Sequence, residues 1–132
     1  MRELLCMWIL ALVACSRSGS GPIAIAYDKE PCAYCKMLIG DPHFAAQIID
    51  DDGEAIDFDD PGCLMRYAAE RHPHARAIWF RDSQNDRWLP ARDAHFVKVA
   101  TSPMGWGYAA VSGAGLGYDE AFEQVSHAAR PR

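Results

Sequence analysis

Residues 44–71 read FAAQIIDDDGEAIDFDDPGCLMRYAAER, and two periodicities meet in them. Phe44 to Ile49 is largely apolar, and Asp50-Asp51-Asp52-Gly53 is a strong turn signal. Glu54 to Phe58 then alternates, with Ile56 and Phe58 on one face and Asp57 on the other. This pairing predicts a β-hairpin. Asp59-Asp60-Pro61 follows. An aspartate ahead of a proline suits a helix N-cap and first turn. From Gly62 to Arg71, Leu64, Tyr67 and Ala68 recur at helical spacing. His72-Pro73-His74 ends the helix.

Working outward, Ile23 to Tyr27 is expected as a brief strand before the hairpin. Ala75 to Phe80 is expected as a strand after the helix, with Ile78 and Phe80 on one side. The first half, residues 23–82, therefore reads β-β-α-β. In residues 83–130, Ser83 to Arg87 is a polar turn. Ala94 to Ala100 and Trp106 to Val111 read as strands around a Ser102-Pro103-Met104-Gly105 loop. Tyr118 to Ala129 reads as a helix with Tyr118, Phe122, Val125 and Ala129 on one face. The fold class is α+β, with two small related ββαβ-type units packed together and the second ending one strand short.

The chain has 132 residues and a formal net charge of -5. One small domain, or two lobes sharing a core, fits that length. No run of Lys or Arg stands out, so nucleic acid is not an expected partner. Leu4 to Ala14 is an apolar run behind Arg2, too short for the ~20 residues that cross a bilayer. Residues 1–14 read as a lipoprotein signal peptide. The run ends Leu12-Val13-Ala14-Cys15, which resembles a bacterial lipobox. Cys15 is the expected lipidation site, tethering the protein to a membrane by acyl chains. Residues 15–22 form the lipidated cysteine and a Ser/Gly-rich tether. Ser16, rather than aspartate, favours the outer membrane as address. Cys6 leaves with the signal, so Cys32, Cys35 and Cys63 remain in an oxidising compartment, where free thiols need a purpose.

The chemistry concentrates in Cys32-Ala33-Tyr34-Cys35-Lys36-Met37. Structural zinc usually takes four Cys or His ligands from paired clusters, and there is one Cys-x-x-Cys here. Thioredoxin-like redox chemistry wants the motif at a helix start after a buried strand. A plain Cys32–Cys35 disulfide closes a small ring and stiffens it modestly. Soft-metal binding uses every sulfur: Cu(I) takes thiolates and thioethers without demanding four ligands. Met37 and Met104 are the thioether candidates, with core filler as the ordinary fate of a methionine. Met65 reads as core. His43 is the best imidazole candidate, and Trp106 is placed to shield a metal from water. The acidic runs at 50–52 and 57–60 read as turns and a helix start. No nucleophile elbow, acid–base pair or phosphate loop is evident, so an enzyme is not expected.

The lipobox cysteine, Cys32-x-x-Cys35-x-Met37-x-Ile39, Gly62-Cys63 before a helix, and Ser102-Pro103-Met104-Gly105, in this order, resemble the NosL family of nitrous oxide reductase accessory proteins. The resemblance spans about Cys15 to Ala129. It implies a periplasm-facing, membrane-anchored Cu(I)-binding lipoprotein. The implied role is a metallochaperone for assembly of the copper–sulfide centre of nitrous oxide reductase. The implied partners are that enzyme or its ABC-type maturation complex. The implied fold is two ββαβ units similar to part of the organomercurial lyase MerB. The implied metal ligands are Cys32, Cys35, Met37 and Met104, with Cys63 added. The alternative is an extracytoplasmic thiol/disulfide or protein-binding lipoprotein with no copper to deliver. Met37 and Met104 turned toward Cys32 and Cys35 would favour the chaperone.

Overall fold

The computed structural model describes residues 19–132. The expected signal peptide and the lipidation site at Cys15 lie outside the described residues. The acidic turn closes as its composition requires. The Asp50 carboxylate accepts from the backbone of Asp52 and Glu54, each at 2.9 Å. Gly53 supplies a φ of 81° that side-chain-bearing residues disfavour. The turn joins β1 (Ala46–Asp50) to β2 (Ala55–Phe58) in antiparallel register, with Ala46 opposite Phe58 and Ile48 opposite Ile56.

Helix α1 (Pro61–Arg71) follows directly. Asp60 is its N-cap, accepting from Gly62 N at 2.9 Å, and Pro61 occupies the first turn. His72 ends the helix in the left-handed region at φ 47°. The chain returns as β3 (Ala75–Arg81), antiparallel to β1 on its other side. A short strand β4 (Trp88–Pro90) then pairs with β3, giving the sheet order β2-β1-β3-β4. Three residues containing a proline carry almost no strand signal, yet an edge strand tolerates proline because one side needs no donor.

The second unit is β5 (His95–Lys98) paired with β6 (Tyr108–Val111), then helix α2 (Tyr118–His127). The two helices pack against each other. Both expected strands are real but shorter than their apolar runs. Trp106 and Gly107 precede β6, and Gly107 needs a positive φ of 76°. The result is a mixed α+β fold of two sheet–helix units around one core. Phe80 of β3 meets Phe96 of β5 edge to face at 4.8 Å, and Tyr118 of α2 closes on Phe80 at 5.9 Å. These rings join the units.

One expected element is absent. Residues 23–27 form no strand. The segment is tied to the sheet by a side chain instead. Gln47, fully buried in β1, accepts from Ile23 N at 2.8 Å and donates to Ile23 O at 2.9 Å. An extended apolar pattern cannot distinguish ladder pairing from pairing to one buried amide. No helix among the described residues is long and apolar enough to cross a membrane.

Trp106 lies on the first turn of α1. A Cβ added at Gly62 would sit 2.1 Å from Trp106 Cγ and 2.3 Å from its Cβ. Neither atom belongs to a side-chain tip that can swing away. Gly62→Ala is therefore expected to lower stability by about 1–3 kcal/mol through overpacking, read by chemical denaturation of the metal-free protein. An unchanged midpoint would show that the indole is not seated against Gly62.

Candidate metal centre

Pro31 bridges to Leu38, and the intervening residues fold into a knuckle. Cys32 N donates to Met37 O at 2.8 Å, and Lys36 N donates to Cys32 O at 3.0 Å. Lys36 takes a left-handed φ of 69°, which turns the chain straight after the second cysteine. The knuckle is docked on β2, where Ala33 N donates to Asp57 O at 2.9 Å. Docking brings Cys32 and Cys35 to Asp59, which follows β2, and to Cys63 in the first turn of α1. One ligand atom from each of Cys32, Cys35, Asp59 and Cys63 lies within 4.8 Å of all the others. Cys32 and Cys63 are buried, Cys35 is half-buried, and all three are free thiols.

The three sulfurs differ in charge. The Cys63 thiol donates to Cys32, and backbone N–H groups of Cys35, Asp59 and Tyr34 point at the same sulfur. Together these outweigh burial and lower the Cys32 thiol from 9.0 to about 5. Cys63 moves upward, because it is the donor to that thiolate and is itself buried. Burial raises Cys35 to about 12, and its thiol lies 3.4 Å from both Asp59 carboxylate oxygens. Burial, then the charge on Cys32, raise Asp59 to about 6. At neutral pH the cluster without metal thus holds one thiolate and one carboxylate, each receiving a thiol proton.

Asp60 is 0% exposed and reaches the other candidate loop. Its second carboxylate oxygen accepts from Ser102 Oγ at 2.7 Å and from Met104 N at 3.0 Å. Ser102 Oγ in turn accepts from Gly107 N at 2.9 Å. One carboxylate therefore caps α1, which carries Cys63, and fixes the backbone of Met104. Met104 is partly buried against the core, and Met37 is 55% exposed on the rim of the knuckle.

The structure brings Cys32, Cys35 and Cys63 together. It adds Asp59, which the sequence reading placed in an acidic turn. A carboxylate between a hairpin strand and a cysteine-bearing helix start was the available signal. His43 is not part of the cluster. It sits on a single 3-10 turn (Pro42–Phe44), bonds Asp41 at 2.9 Å, and lines a separate cavity of about 520 Å³ with Tyr27, Arg81 and Trp88. Met65 is fully buried, as expected of a core residue. Trp106 is 7% exposed against the helix turn bearing Cys63.

Fold and site define the class: a small α+β protein with a buried cysteine/aspartate cluster able to coordinate a metal ion. Compared with protein-family models, curated proteins and solved structures, the chain matches none.

Two outcomes follow. Cys32 has its pKa lowered on folding, so its contribution to stability is complete above pH 9 and is lost as pH falls toward 5. Asp59 and Asp57, both raised to about 6, act the other way, their contribution fading as pH rises through 6, but across pH 6 to 8 this is the smaller effect. The metal-free protein should therefore melt at higher temperature at pH 8 than at pH 6. Cys32→Ala should flatten that rise, and an equal rise in the variant would remove Cys32 as its source. Separately, Asp60→Asn aims an amide N–H₂ at two donors. A loss of about 1–3 kcal/mol is expected, with backbone amides of 102–107 exchanging faster. Unaltered exchange in that loop would exclude Asp60 as its anchor.

Proposed function

We propose that this protein is a lipid-anchored Cu(I) carrier facing the periplasm, which hands copper to an extracytoplasmic assembly reaction. The observation that carries the reading is the convergence of three sulfurs within 4.8 Å from two separate segments. Three thiolates form a soft donor set, which Cu(I) favours over hard oxygen ligands. Loading would displace the protons held by Cys35 and Cys63, so affinity would rise with pH. Cys32, already ionised, would be the first anchor. Met37 on the rim and Met104 beside the core supply uncharged sulfur, which loosens a thiolate site enough for release.

The resemblance to the NosL family supports a finer reading: a metallochaperone for the copper–sulfide centre of nitrous oxide reductase, acting with that enzyme or its ABC-type maturation complex. Cys15 would carry the lipid, with the outer membrane as address.

A second reading has its own observation. Asp59 gives the cluster a fourth, hard ligand, and three cysteines with one aspartate suit tetrahedral Zn(II). Zinc there would staple the knuckle to α1 and make the protein a binding lipoprotein rather than a carrier.

Anaerobic titration separates these readings. Cu(I) and Zn(II) are each added to the reduced protein against a competing chelator, with Asp59→Asn and the Met37→Ala, Met104→Ala pair alongside. The carrier reading expects stoichiometric Cu(I) binding that survives Asp59→Asn and weakens at least about tenfold without the two methionines, no less than the loss of a partner around a metal site costs. Zn(II) bound more tightly than Cu(I), and lost in Asp59→Asn, would favour the structural site. Failure of Cu(I) to compete with the chelator would defeat the carrier reading.

A further inference from the structure

Access to the cluster is one-sided. Cys32 and Cys63 are buried, and Cys35 is the thiol with surface. Met37 and Leu38, 55% and 56% exposed, follow it in the chain. Two cations flank them. Lys36 bends back so that Nζ donates to Ala33 O at 2.7 Å. Arg130, after α2, lays its guanidinium 4.9 Å from the centre of the Tyr34 ring and donates to the Tyr34 hydroxyl at 2.6 Å. Ala33 and Tyr34 are the two residues between the cysteines, so both cations sit on the turn that presents Cys35.

Arg66 nearby pairs with Glu70 at 2.8 Å. Glu70 also reaches this turn, accepting from the Tyr34 hydroxyl at 3.1 Å, so Lys36, Arg66 and Arg130 against Glu70 leave the patch three positive charges to one negative. Among the described residues no carboxylate lies within ion-pair distance of Lys36 or Arg130. A cationic rim around an apolar, thioether-bearing lip stands out on a chain of net charge -5. An apolar centre with a charged rim is the anatomy of a protein interface. Complementary charge steers encounter and sets orientation.

We propose that the lip of Lys36, Met37, Leu38 and Arg130 docks an acidic surface of a metal-accepting protein, so that the acceptor's soft ligand meets the metal at Cys35 first. The proposal rests on the carrier reading for what is transferred. An anionic bilayer is the weaker occupant. Polybasic membrane binding uses clusters of roughly four to eight cations, and here Lys36, Arg66 and Arg130 stand beside Glu70 on an acidic protein.

The test uses the full chain with Cys6→Ser and Cys15→Ser, in a non-ionic detergent, reduced and metal-free. Cys35 is challenged with the dianionic disulfide dithiobis(nitrobenzoate) and, separately, with uncharged dipyridyl disulfide. Each thiolate attacked forms a mixed disulfide and releases one chromophoric thiolate or thione. The ratio of the two rates cancels any change in thiol reactivity. At low salt, Lys36→Glu with Arg130→Glu should lower the anionic-to-uncharged ratio about tenfold, and added salt should erase the difference. With Cu(I) loaded, transfer to anionic bathocuproine disulfonate should slow in the same variant while transfer to uncharged neocuproine holds. An unchanged ratio in both experiments overturns the proposal. Wild-type binding to phosphatidylglycerol vesicles that the double variant abolishes would overturn it in favour of a membrane. Failure to load Cu(I) defeats the carrier reading alone, because the thiol rates need no metal.

Discussion

A single buried carboxylate holds the candidate centre in register. Asp60 begins α1 by accepting from Gly62, and so sets where Cys63 stands. The same group accepts from Ser102 and Met104, and so sets where the second loop lies. Burying a carboxylate costs several kcal/mol unless donors replace its water. Here three donors do so, two backbone N–H groups and one hydroxyl. Burial still wins over them and raises the Asp60 pKa. The arrangement favours fixed geometry over easy stability, and it links segments 42 and 44 residues apart, beside the Trp106–Gly62 contact that packs the same loop on α1.

A second economy is visible in the cluster itself. Three thiolates and a carboxylate packed together without a cation would repel strongly at short range and low dielectric. Without a metal the cluster avoids this by ionising one sulfur. The backbone dipoles of the knuckle and the Cys63 proton are spent on Cys32. Cys35 keeps its proton and shares it with Asp59. Two thiol protons therefore neutralise the cluster where a bound cation would otherwise do so.

Much of this was legible in the sequence, for local reasons. The Asp50–Gly53 turn, the alternation at 54–58, and the Asp-Pro start of α1 each depend on neighbours in the chain, and each formed where expected. The three cysteines converge because the hairpin and helix leave Cys63 beside the knuckle. What the sequence hid is non-local. Gln47 takes the place of a strand partner for residues 23–27. Trp88-Leu89-Pro90 is a strand only because β3 offers a free edge. Asp59 and Asp60 are adjacent and chemically identical in sequence, yet one faces the sulfurs and the other the Ser102 loop. Only the extended backbone at Asp60 and the opposite directions of successive side chains separate them.

The asymmetry of burial has a consequence for exchange. A cation held by Cys32 and Cys63 alone would be enclosed, and its departure would require opening α1 against the knuckle. A cation that also contacts Cys35 has one ligand at the surface, where an incoming sulfur can bind before an outgoing one lets go. Stepwise replacement of ligands avoids ever exposing a bare ion. That would make the residues around Cys35, rather than those around Cys32, the place where an incoming ligand's size and charge act. Lys36 and Arg130 brace that turn through the Ala33 carbonyl and the Tyr34 ring, so the accessible thiol is presented on a held segment.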